Sequence, residues 1–260
     1  SYWYYSCCWI NICFNCFWVN DPTKHEFVPN DVQRIQTQKS LDARLKCVYN
    51  YKEDSKKNLL DLIDSAGIAR TEVFAGDYLD EPQITIISPT RDFYESLLPK
   101  FRNKLNFHCA LEALEENSYS SKDDISDETT LSKTLDDATD DTSAHNQSSI
   151  VFLLETDEKQ KFLFTGDAGR DAFNHVPQTL LGKVKDVTWM KVPHHGSKHN
   201  LDSTIIKHVN PEIAYISTEK QGKYLNRSTV FALKKNGTKV YSTSQNRSTI
   251  RHGAIKTREG

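Results

Sequence analysis

Two short runs hold the residues best suited to chemistry. Phe162-Leu163-Phe164-Thr165-Gly166-Asp167 delivers a carboxylate from the end of an apolar strand, and Trp189-Met190-Lys191-Val192-Pro193-His194-His195-Gly196-Ser197 delivers two imidazoles from the end of another. Carboxylate and neutral imidazole are good ligands for zinc and similar divalent ions. An Asp after Gly is also an ordinary turn residue. Neighbouring side chains at a strand end point different ways, so only one His of the pair is expected to face a metal. The sequence also lacks a partner motif: no H-x-H-x-D-H occurs in its 260 residues. Asp167 and one His fall short of the three or four protein ligands that zinc normally takes. The residues therefore read as half of a metal site.

The elements that must position these residues alternate between strand and helix, which predicts an α/β layered fold rather than a helical bundle. Residues 30–48 and 55–66 read as amphipathic helices, the second stopped at Gly67. Thr71–Phe74 and Ile84–Ile87 read as short strands, and Arg91–Arg102 as a helix. Ser149–Glu155 and Lys161–Thr165 form an expected hairpin. Asp171–Leu181 reads as a helix despite Pro177, Val187–Val192 as a strand, Leu201–Val209 as a helix capped near Asp202, and Ile213–Ser217 as a strand. Thr229–Lys235 reads as a helix closed by Asn236-Gly237, and Lys239–Thr243 and Ser248–Arg251 as final strands.

Charge is distributed unevenly. Glu115 to His145 holds ten acidic and two basic residues, and the segment 115–147 is expected to be a disordered acidic insert, having too little apolar surface to offset its ordering entropy. Without it, the net charge of −2 becomes +6, and Leu181 to Arg258 alone carries +11. The half that bears His194 and His195 should attract phosphates or nucleic acid. Lys198, Lys223 and Arg227 are candidate phosphate contacts, although charge runs are often only solvated faces. Four of the six cysteines fall within the first sixteen residues. Cys13-x-x-Cys16 lacks a second pair for a zinc knuckle, and no disulfide framework is visible, which fits a reducing, cytoplasmic setting. Residues 1–17 are aromatic and uncharged but lack the flanks of a membrane span or signal peptide. They read as an atypical or truncated start to a single domain over 1–260.

Several motifs in order carry a resemblance. Asn146-Gln147-Ser148-Ser149-Ile150-Val151, Leu163-Phe164-Thr165-Gly166-Asp167, Lys191-Val192-Pro193-His194-His195-Gly196-Ser197, Val209-Asn210-Pro211 through Ser217, and Asn236-Gly237 through Thr243 resemble the C-terminal half of metallo-β-lactamase-fold hydrolases, closest to the ComEC-like competence-protein group. The best-matching half is 148–260. The resemblance implies an αββα sandwich with metal between the sheets, lacking here the N-terminal H-x-H-x-D-H. It implies Asp167 as the carboxylate that bridges two zinc or manganese ions. The Pro-Gly-His-Gly of lactamase-type relatives picks His195 as ligand, with His194 beside it or touching substrate; His145 stands near another ligand position. A metal-bound water of pKa about 7 would attack a phosphodiester, with Ser197, Lys198, Asn226 and Arg227 as substrate contacts. Relatives place His where this chain has Asn226. Because the main metal motif is absent, the resemblance implies impaired activity or a non-catalytic scaffold. The remaining histidines, His199, His208, His175, His108, His25 and His252, match no ligand spacing.

Overall fold

The computed structural model describes residues 16–21, 24–25, 63–100, 134–218 and 225–243. The expected helix at 30–48, most of that at 55–66, the strand at 248–251, the cysteines before Cys16, residues 115–133, His108, Lys223 and His252 lie outside the described residues.

The described chain is mixed α/β. Strands β3 (Tyr78–Leu79), β4 (Gln83–Ser88), β5 (Val151–Glu155), β6 (Lys161–Phe164), β7 (Trp189–Lys191), β8 (Ile213–Ile216) and β9 (Lys239–Ser242) form one seven-stranded sheet in sequence order. Pairing is antiparallel from β3 to β6 and parallel from β6 to β9. The parallel steps need crossovers, and helices supply them. Separately, β1 (Cys16–Trp18) pairs in parallel with β2 (Ala69–Thr71).

Alternation within the strands gives the large sheet two unlike faces. One face presents Val151, Leu153, Leu163, Met190, Ala214, Ile216 and Val240, all buried. It packs against helices α1 (Arg91–Leu97), α3 (Arg170–Asn174), α5 (Ser203–Val209) and α6 (Arg227–Lys235), whose Phe93, Tyr94, Ala172, Phe173, Ile206 and Leu233 share the same core. The opposite face carries a row of half-buried rings across five strands. Phe152 stacks on Phe164 at 4.7 Å, Phe164 meets Trp189 at 5.2 Å, Trp189 meets Tyr215 at 6.2 Å and Tyr215 meets Tyr241 at 6.0 Å. Trp18 of β1 meets Phe152 edge-on at 6.3 Å. His25 is buried between the carboxylates of Glu72 and Glu95, at 2.9 and 2.8 Å, and ties its segment to α1.

Helix boundaries follow local chemistry. Thr90, Asp202 and Asn226 accept from backbone N–H groups at the starts of α1, α5 and α6. The helix expected over Asp171–Leu181 is two: α3 ends at Asn174, and α4 (Gln178–Leu181) begins after Pro177, whose ring and missing N–H interrupt the turn. Among the described residues, no helix is long and apolar enough to cross a membrane.

The acidic stretch differs from the expected disordered insert over its later part. Residues 134–136 form a helical turn, Leu135 is fully buried, and α2 (Ala144–Gln147) is capped by Ser143. Composition averaged over the stretch hides Leu135, Ala144 and Gln147, which are buried. Gln147 accepts from Ala172 N and donates to the Asp141 carbonyl, joining this segment to α3. It lies so close to Gly169 that a Cβ there would meet Gln147 Nε2 at 2.1 Å. Gly169→Ala is therefore expected to displace Gln147 and cost about 1 kcal/mol or more in urea unfolding.

Candidate functional site

The site forms where β6 and β7 end side by side. After β6 the chain turns through Gly166, whose φ of +55° suits glycine, and whose Cβ, if present, would meet Ser149 Cβ at 2.9 Å. The turn is held by a hydrogen bond from Asp167 N to Ser149 Oγ, 3.1 Å. After β7 comes a 3₁₀ turn, Pro193–Gly196, in which His194 and His195 adopt φ of 43° and 55°. Two successive non-glycine residues in the left-handed region cost about 1 kcal/mol or more each. Surrounding bonds hold them there: His194 N donates to Gly166 O, Ser197 N to His194 O, and Asn226 N to Gly196 O. The first of these bonds joins the histidine turn directly to the turn carrying Asp167.

Each imidazole is oriented through Nδ1. His195 Nδ1 donates to Ser217 O at 2.7 Å. His194 Nδ1 lies 3.3 Å from Asp141 Oδ2. With Nδ1 committed, ligation by either ring falls to Nε2. The two ring centres are 6.1 Å apart. Asp167 Oδ1 faces the Lys191 ammonium at 3.5 Å, and that ammonium also donates to Gly166 O.

Electrostatics unite these groups. Burial disfavours the charged form of Asp141, but hydrogen bonds from His194, Asn146, Ser143 and Asn200 outweigh it and hold the carboxyl at about 2. Burial also opposes charge on His194, yet Asp141, Asp167 and Asn200 raise its pKa above the ordinary value. Lys191 is pushed down by burial, which Asp167 only partly offsets. His199 is pushed down by burial, and its Nδ1 donates to Thr139 O at 2.6 Å.

The structure thus gathers Asp167, His194 and His195 at one sheet end, and adds Asp141 and Asn200. Asn200 Nδ2 donates to Asp141 Oδ2 at 3.0 Å and to Asp167 O at 3.1 Å. Neither residue stands out in the sequence: Asp141 is one acid in an acidic run, and Asn200 an amide in a polar loop. His145 lies in α2, where it is the neighbouring Asn146 whose amide binds Asp141 at 2.8 Å. Ser197 is buried and its Oγ accepts from His199 N. The Lys198 carbonyl accepts from Arg170. Asn226 Oδ1 caps α6 by accepting from Ser228 N, and Arg227 is the first residue of that helix.

Zinc or manganese fits this donor set only in part. Among the described residues, no three His, Cys, Asp or Glu side chains converge closely enough to hold a metal ion, and Asp167 already faces an ammonium.

No known family's sequence profile matches the chain, and no solved structure matches it. Over 108 residues it is 30% identical to ComE operon protein 3 of Bacillus subtilis (strain 168), a match covering 41% of this chain. The match spans only 14% of that protein's length. The chain is thus similar, over part of its length, to part of a competence-operon protein.

Proposed function

We propose that the chain is a ComEC-like, metallo-β-lactamase-type hydrolase module for a phosphodiester or nucleic-acid substrate, with little or no turnover by itself. The observation that carries this reading is the orientation of both imidazoles through Nδ1, His195 by a hydrogen bond to the Ser217 carbonyl and His194 by ion-pair contact with the Asp141 carboxylate, beside Asp167. Proteins orient metal-ligating histidines in this way. The half-buried aromatic face of the large sheet, with Trp18 against Phe152, supports the αββα sandwich, in which a second sheet covers that face. Bound zinc or manganese supplies Lewis-acid activation of water. The described residues do not complete such a site, so they are given binding and orienting roles only. Asp141 and Ser217 fix the imidazoles, Lys191 neutralises Asp167, and the basic C-terminal half attracts phosphate.

A non-catalytic scaffold is the second reading. Lys191 favours it, because its ammonium occupies the charge position beside Asp167 that a metal would take. Calorimetric titration with zinc chloride separates the two. Wild type is expected to bind weakly and below one equivalent, His195→Ala and Asp167→Ala to abolish the signal, and Lys191→Met to bind about tenfold tighter by freeing the carboxylate. Tight, stoichiometric zinc with cleavage of bis(p-nitrophenyl) phosphate would reject the scaffold reading. Zinc uptake unchanged in both alanine variants would reject the ligand assignment itself.

A further inference from the structure

Arg170, the first residue of α3, is 7% exposed. Its guanidinium has five N–H groups, and each has an acceptor. Nε donates to Leu201 O at 3.1 Å. Nη1 donates to Ala138 O at 3.0 Å and pairs with Asp140 Oδ1 at 2.9 Å. Nη2 donates to Leu135 O at 2.7 Å and Lys198 O at 3.1 Å. Four acceptors are backbone carbonyls on two segments remote in sequence, 135–138 and 198–201. The first segment leads into Asp141, the carboxylate against His194. The second contains Asn200, whose amide joins Asp141 to the Asp167 carbonyl.

We propose that Arg170 is the positioning residue of the site. It clamps the acidic segment to the 198–201 loop, and so sets where Asp141 and Asn200 stand relative to His194. The functional meaning of that placement rests on the hydrolase-type reading above; the clamp itself does not. The planar fork is what the task requires. A lysine brings three donors on a single centre and cannot reach carbonyls arranged around a plane. A neutral replacement leaves buried carbonyls unpaired.

The test uses the full chain, labelled with nitrogen-15, and reads the ring-nitrogen shifts of His194 together with amide hydrogen exchange. Arg170→Lys is expected to move the His194 shifts in the same direction as Asp141→Asn. It should also speed exchange in 134–141 and 197–201 together by about tenfold or more, leaving Val151–Phe164 unchanged. Asp140→Asn removes the charged side-chain acceptor from Nη1, which keeps only the Ala138 carbonyl, so the clamp is weakened at the acidic segment without being lost. It is expected to give a smaller shift of the same sign, and it serves if Arg170→Lys does not fold. Wild-type His194 shifts in a folded Arg170→Lys protein, or in Asp140→Asn, would overturn the proposal. So would loosening spread evenly over the sheet, which marks a general structural role. A wild type that takes up no zinc sinks the hydrolase-type reading while the His194 shifts still judge the clamp.

Discussion

Leu163→Ala is expected to lower the free energy of unfolding by about 2–5 kcal/mol, measured by urea denaturation. Leu163 is fully buried at the centre of the large sheet, paired with Leu153 on one side and Met190 on the other. Truncation removes apolar area from water-free packing and leaves a cavity between the sheet and the helices packed on it, which closes only in part. Leu163→Met keeps the volume and is expected to cost less than about 1.5 kcal/mol. The loss belongs to the sheet and not to the rings on its other face. Phe162 and Phe164 point the opposite way, and their substitution should act separately.

Asp141→Asn is expected to cost about 2 kcal/mol at pH 5–6, with a distinctive pH dependence. The Asp141 carboxyl falls from its ordinary value of 3.8 to about 2 in the fold, and each unit is worth about 1.4 kcal/mol. Because the folded value is the lower one, this stability is present above pH 3.8 and disappears as pH falls through about 2. His194 runs the other way. Its folded value lies above the ordinary 6.5, so its share is complete below 6.5 and is lost as pH rises through the folded value. The difference between wild type and variant should therefore be largest between about pH 4 and 6.5 and shrink towards both ends. Urea midpoints taken at pH 2.5, 5.5 and 9 test this. A difference that stays flat across that range would show that the Asp141–His194 contact contributes nothing to folding.

The parallel half of the sheet is legible in the sequence because its signals are local. Apolar runs ending in Gly-Asp and Pro-His-His mark β6 and β7, Asp202 marks α5, and Asn236-Gly237 closes α6, whose start at Arg227 lies two residues before the expected one. The strand expected over Thr71–Phe74 sits instead at Ala69–Thr71. The short β3 escapes notice because two residues carry no periodicity. Of the site, Asp167 and the two histidines are legible as a type-and-spacing pattern. Asp141, Asn200 and Arg170 are not, because their roles arise from contacts between segments far apart in the chain. An acid in a run of acids gains meaning only when the fold selects one of them. Segment 134–147 shows the same limit: three contacts to Arg170, from the Leu135 and Ala138 carbonyls and the Asp140 carboxylate, together with the buried Leu135, outweigh a composition that argues for disorder.

The row of rings has a geometric consequence. If β7 slipped by one residue against β6, Met190 would turn out among the aromatic side chains and Trp189 would be driven into the helices, so misalignment is heavily penalised. Asp167 and His194 each follow the last residue of their own strand by three positions. Whatever locks the two strands in step therefore also sets the offset between carboxylate and imidazole, and a row of aromatic rings serves as the ruler for a polar centre.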